Sequence, residues 1–213
     1  MNMVFDPKAK PIKLAHIVLK TSPRRWEKMK EFYKLLLGAK LVMEAPIIAF
    51  LTYDDEHHRL AIAKFPFMLP KLSLFRGVDH VAFTFSSLND LLATYERMKS
   101  GGVDPVWCVH HGGTVSIYYQ DLDRNLVETQ VDVFESIEAT NEYIDSDDFQ
   151  TNPIGVDFDP EEWIRRLKAG EPEDKVSRRV SSGPRHPSTI PRPIQGTLHW
   201  LLSKLAPAPR NPA

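Results

Sequence analysis

The sequence predicts an α+β protein built from two βαβββ modules that pair their sheets around a shared cavity, followed by a C-terminal extension. Three observations carry the prediction. Leu14–Leu19 (LAHIVL) matches Val78–Phe83 (VDHVAF), each a short apolar strand with histidine in third place. Gly38 follows His16 by 22 positions, and Gly102 follows His80 by the same 22. After each glycine come three short runs rich in β-forming residues. Equal spacing of matched features is the mark of an internal duplication.

The elements follow in order. After the first strand, Ser22-Pro23 offers an N-cap and a proline suited to the first helical position. Trp26, Met29, Tyr33 and Leu36 then recur at helical spacing up to Gly38, where the left-handed conformation ends the helix. Lys40–Glu44, Ile47–Tyr53 and His58–Lys64 are the three strands of the first copy. In the second copy Ser86 or Ser87 caps a helix whose apolar stripe is Leu88, Leu91, Leu92 and Tyr95, closed by Gly101-Gly102. Its strands are Val103–Val109, Thr114–Gln120 and Asn125–Asp132. One such unit leaves a sheet face uncovered, so two must pair to bury it. Asp159-Pro160-Glu161-Glu162, with Trp163, Leu167 and Gly170, reads as a short capped helix. The domain is therefore expected over residues 1–170, with modules at about 12–66 and 76–134 and a closing helical segment at 135–170.

The chain has 213 residues with 27 basic against 28 acidic, a net charge of −1. That balance argues against partners such as nucleic acid or an anionic membrane, which need a basic excess. No apolar run approaches the roughly 18–20 residues that span a bilayer. The single cysteine, Cys108, forms no internal disulfide, and no leader pattern opens the chain, so a reducing, cytoplasmic location is expected. Residues 170–213 carry eight of the 17 prolines and a charge of +4, leaving −5 on the rest. This stretch reads as a proline-rich basic tail over 171–213, extended or mobile, with a short apolar segment at 198–205 expected to dock on the body or a partner subunit. A proline-rich partner-binding motif is the sharper and less favoured reading of the tail.

The strands matter for what they aim into the cavity. His16 and His80 hold equivalent places on the first strand of each copy, and Glu128 lies on the last strand of the second. Two imidazoles and a carboxylate on one side of a divalent ion leave the other side open, an arrangement suited to non-haem Fe(II). A lone strand histidine more often packs or hydrogen-bonds than ligates. The matched positions weigh against that here. The first-copy equivalent of Glu128 falls near Ile62, so three protein ligands are expected rather than four.

With these residues in place, the stretches LAHIVLKT, EHHRLAIA, GVDHVAF, VHHGGTVSIYY and NLVETQVD resemble the vicinal oxygen chelate superfamily (glyoxalase, bleomycin resistance, dioxygenase). Within it, the sequence is similar to the type I extradiol ring-cleavage dioxygenases over about residues 12–134. The resemblance implies His16, His80 and Glu128 as the metal ligands, with Fe(II), or alternatively Mn(II), as cofactor. It implies His58 as the acid–base residue, Tyr118 as a substrate-side hydrogen-bond donor, and a further histidine from the His110-His111 pair, of which His111 is favoured. The substrates would be an aromatic diol and O2, the product a ring-opened semialdehyde, and a homodimer is the family's habit. In the turn Asp121–Asn125 the sequence lacks the proline and glycine such proteins often carry.

Blander readings stand beside these. His57-His58 after Asp54-Asp55-Glu56 also fits a polar hairpin turn, and strand alternation lets only one of Tyr118 and Tyr119 face the cavity. Two other functions share the same ligands or pocket. One is a metal-dependent isomerase or lyase acting on a chelating natural product, and the other a non-catalytic small-molecule binding or resistance protein.

Overall fold

The computed structural model describes residues 8–69, 71 and 77–207, without the side chains of Thr197 and Leu198. Residue 76, where the second module was expected to begin, and the side chain of Leu198 lie outside that set. The chain divides into two compact units, 1–68 and 69–213. Each contains one βαβββ copy.

In the N-terminal unit the elements are β1 (Ile17–Thr21), α1 (Trp26–Leu37), β2 (Lys40–Ala45), β3 (Ile48–Thr52) and β4 (Leu60–Lys64). They form a mixed sheet of order β1-β4-β3-β2, with β1 parallel to β4 and the other pairs antiparallel. The expected stripe on α1 is its buried face, Trp26, Met29, Tyr33 and Leu36 being withdrawn from solvent. Gly38 ends the helix at φ +62°. The start differs from expectation. The Arg25 N–H donates to the Ser22 carbonyl at 3.0 Å, closing a turn over Ser22–Arg25, and the helix begins at Trp26 without a side-chain cap. Pro23 therefore serves the turn rather than the first helical position.

The C-terminal unit repeats the order with β5 (His80–Thr84), α2 (Leu88–Ser100), β6 (Trp107–His110), β7 (Thr114–Gln120) and β8 (Leu126–Asp132). Ser87 caps α2 by accepting from the Asp90 N–H at 3.1 Å. At its far end the Val103 N–H donates to the Met98 carbonyl and the Gly102 N–H to that of Lys99, with Gly102 at φ +77°. This closing motif requires the left-handed conformation that glycine adopts at little cost. β6 starts four residues later than the expected strand, because Pro105 has no N–H to give a ladder.

Beyond the duplication come α3 (Ile137–Ile144), α4 (Asp147–Thr151), β9 (Val156–Asp157), α5 (Pro160–Lys168) and α6 (Glu173–Val176). A 3-10 turn at Pro187–Thr189, α7 (Arg192–Gln195) and α8 (Thr197–Ser203) follow. β9 adds a fifth strand, giving the mixed order β5-β8-β7-β6-β9. Asp159 caps α5 as expected. The tail is extended through 177–186 but tied down: Arg179 pairs with Asp148, and Arg185 with Asp157. In α8, Leu201 and Leu202 are more than half exposed, so the apolar segment is only partly covered within this chain. No helix among the described residues is long and apolar enough to cross a membrane.

The β7–β8 turn compensates for its missing proline and glycine through Asp121. Its buried carboxylate accepts from the backbone N–H of Asp123 and Asn125 and from Asn125 Nδ2, all within 2.9 Å, while Arg124 takes φ +68°. Asp121→Ala leaves these donors unpaired and is expected to cost about 2–3 kcal/mol in urea-unfolding stability.

Candidate active site

Strand pairing decides which side chains share a face. In the C-terminal sheet Ala82 pairs with Glu128, Glu128 with Tyr118, and Tyr118 with Trp107. Side chains alternate along each strand, so His80, Ser116 and Val109 join that row on one face. Tyr119, Ile117 and His110 point to the other, where α2 and Trp163 of α5 pack. Of the two adjacent tyrosines, Tyr118 is thus the one beside Glu128.

The centre of the row is a pair. Glu128 is 5% exposed, and its Oε2 lies 3.0 Å from His80 Nε2. The Glu128 hydrogen bond holds the imidazole charged, raising its pKa to about 9 against the opposing effect of burial; Asp79 Oδ2, 2.8 Å from Nδ1, adds to the rise. Burial pushes the Glu128 carboxyl up, but the hydrogen bonds from His80 and Ser116 outweigh it and leave the group below its usual range.

Tyr118 and His111 extend the pair. His111 Nδ1 donates to the Ile154 carbonyl at 2.6 Å, which leaves Nε2 as the acceptor 3.1 Å from the Tyr118 hydroxyl. Burial lowers the His111 pKa and so keeps that ring neutral. Burial and the neighbouring Glu128 hold the Tyr118 phenol far above its ordinary value, so it remains a proton donor across neutral pH. His110 faces away. Its Nδ1 accepts from the Gly112 N–H at 3.0 Å, its ring is hydrogen-bonded to the Ser177 backbone, and burial pushes its pKa down to about 4.

In the N-terminal unit Val18 pairs with Ala61, and Ala61 with Phe50. His16, two residues before Val18, shares their face. His58, from the β3–β4 connection, stacks on Phe50 with ring centroids 4.2 Å apart and lies 4.5 Å from His16. Burial and the two neighbouring histidines lower the His58 pKa. The register places Ala61, rather than Ile62, opposite the strand position that Ala82 holds for Glu128; Ile62 is fully buried on the other face. Neither residue is a carboxylate.

The donors His80 and Glu128 suit a divalent metal. Two ligand atoms bonded at about 2.1 Å and at right angles to one ion stand about 3.0 Å apart, the separation found between Nε2 and Oε2. A metal would take the place of the proton the pair now shares. Among the described residues no group of three or more His, Cys, Asp or Glu side chains is assembled around one point.

Two contributors were missed from sequence. Ser116 was legible in principle, since alternation through Thr114, Ser116 and Tyr118 puts it on the same face. Asp79 directly precedes His80, and a carboxylate beside a strand histidine has no spacing that marks it in the sequence.

The chain belongs to the glyoxalase/bleomycin resistance protein/dioxygenase superfamily, whose model matches residues 13–129. It is 42% identical to biphenyl-2,3-diol 1,2-dioxygenase 2 of Rhodococcus globerulus over 78% of this chain and 86% of that protein. Biphenyl-2,3-diol 1,2-dioxygenase 3 of the same organism is 38% identical, over 79% of this chain and 88% of the relative. Among solved structures, a glyoxalase/dioxygenase from Nostoc punctiforme matches with a TM-score of 0.50 and 18% identity, covering 63% of this chain and 99% of that one. The likeness shows the same fold.

Because buried His110 stays neutral, the unfolded chain binds a proton between about pH 6.5 and 4 that the folded chain does not. Stability should fall as pH drops through that window, by up to about 3 kcal/mol from this residue. Comparing urea midpoints at pH 7.5 and 5.0 for the wild type and His110→Gln checks this; the variant should show the smaller loss.

Proposed function

We propose that the protein is an extradiol ring-cleavage dioxygenase that uses Fe(II), with Mn(II) as the alternative, to open a catechol-type ring with O2 to a semialdehyde. His80 and Glu128, completed by His16, are the proposed ligands. The observation that best supports the reading is the pairing of His80 with buried Glu128, beside Tyr118 and His111. Both Rhodococcus relatives are named as dioxygenases of an aromatic diol.

When bound, the metal would supply Lewis acidity that lowers a catechol hydroxyl pKa and a path for electrons from the ring to O2, both of whose atoms the product keeps. The chain's residues handle protons and orientation. His58, neutral near pH 7 because its pKa is depressed, accepts a substrate hydroxyl proton on a ring nitrogen and later returns it. In the free site the Tyr118 hydroxyl donates its one proton to His111 Nε2, whose ring is fixed by the Ile154 carbonyl; turned to a bound substrate oxygen, that proton makes Tyr118 the substrate-side donor. Ser116 hydrogen-bonds Glu128 and keeps it ionised when the metal takes the place of the proton shared with His80. The reading also carries a cytoplasmic location and a homodimer.

The test is anaerobic Fe(II) loading followed by oxygen uptake on a panel of catechols. Wild type should consume O2 and release a yellow ring-opened product. Stoichiometric iron without uptake on any catechol would overturn the reading in favour of an isomerase or lyase. Glu128→Ala should lose iron on desalting. His58→Ala should retain it while kcat drops by about 10²–10⁴; full activity in that variant would remove His58 from its role.

A further inference from the structure

We infer that residues 185–195, the middle of the proline-rich tail, form a wall of the substrate pocket in which Ile190 and Ile194 set how far a ring substituent can extend. The inference rests on the proposed catechol-binding face and names a determinant of its specificity.

Three observations place this strap. First, Trp107, Val109 and Tyr118 form a buried apolar cluster on the face that carries Glu128, and Ile154, Ile190 and Ile194 pack against it. Second, Tyr118 lies edge-on to His80, with centroids 5.5 Å apart, and stacks on Trp107 at 5.4 Å. A substituent that extends from a ring held by Tyr118 toward Trp107 would meet the isoleucines that cover that end of the face. Third, the strap is held rigidly. Arg185 makes two parallel hydrogen bonds to Asp157, at 2.7 and 2.8 Å, and Asp157 Oδ1 also accepts from Trp107 Nε1 at 2.7 Å. The same guanidinium donates to the Gly155 carbonyl and to Thr189, and lies 5.4 Å from the Trp107 ring centroid. One side chain thus joins tail, β9 and the apolar cluster.

A boundary of Ile and Trp accepts an uncharged substituent and rejects a carboxylate, which would be buried there without a partner. Removing the isoleucine side chains lengthens the pocket, and enlarging them shortens it. Arg185 acts as a positioning residue through Asp157 and Trp107.

Anaerobic calorimetric binding of catechol, 3-phenylcatechol and 2,3-dihydroxybenzoate to Fe(II)-loaded protein, alongside aerobic turnover, tests the inference. Ile190→Ala with Ile194→Ala should shift the preference for 3-phenylcatechol over catechol upward by about tenfold, and Ile190→Phe should shift it downward by a similar factor. Arg185→Ala should raise KM for 3-phenylcatechol more than it lowers kcat and open residues 177–196 to protease, with Arg185→Lys intermediate. An unchanged preference in both isoleucine variants overturns the wall. If catechols bind with the expected preferences but are never cleaved, the dioxygenase reading falls and the wall stands. If no catechol binds, both fall.

Discussion

A carboxylate withdrawn from water must find partners or give up its charge, and Glu128 is the residue around which the C-terminal unit meets that requirement. His80 reaches it because β5 runs parallel to β8 with Ala82 opposite Glu128, which sets the imidazole two residues back on the same face. Ser116 and Tyr118 reach it because β7 lies on the other side of β8, with Tyr118 directly across. A one-residue slip in either pairing would turn these side chains toward α2 and leave a buried charge unpartnered. The register and the site therefore enforce each other. Asp79 on His80 and the Ile154 carbonyl on His111 then orient the rings, as outer partners do around metal-binding and catalytic imidazoles.

The two copies of the fold have diverged in what they contribute. Each directs its first-strand histidine to the face opposite its helix, but only the second carries a carboxylate on its last strand. Ala61 stands where the first copy would need one. What the first copy offers instead is a small aromatic stack of His16, Phe50 and His58, in which burial and the neighbouring histidines lower the His58 pKa. One copy thus holds a charged, tightly paired centre and the other a neutral histidine suited to proton exchange.

The segment after the duplication shows how a composition that resists a core of its own can still be ordered. Its prolines keep the chain extended, and its arginines supply the attachment. Arg179 and Arg185 are nearly buried, each paired with an aspartate of the preceding 148–157 segment and each donating to a backbone carbonyl there. The bidentate geometry of a guanidinium lets one residue fix both position and direction, which a lysine ammonium does less well. Of the positive charges that mark the tail in the sequence, those of Arg179 and Arg185 hold it to aspartates of the body.

Much of this was legible in the order of residues alone. The duplication, the helix stripes, the closing glycines and α5 follow from periodicity and capping, which are local, and the choice between Tyr118 and Tyr119 needed only the register in addition. The false start at Ser22-Pro23 and the shortened β6 arose where a local signal had two uses, proline serving a turn in one case and interrupting a ladder in the other. By itself the sequence determined the modules and the residue types able to bind a metal and move protons, because these depend on neighbours within a turn or a strand. Only the tertiary structure decided that His111 rather than His110 stands beside Tyr118, that Ser116 and Asp79 support the central pair, and that a proline-rich tail lies against Trp107. Those contacts join residues from 1 to about 85 positions apart, and no spacing rule encodes them: they exist only once sheet pairing has set which side chains face one another.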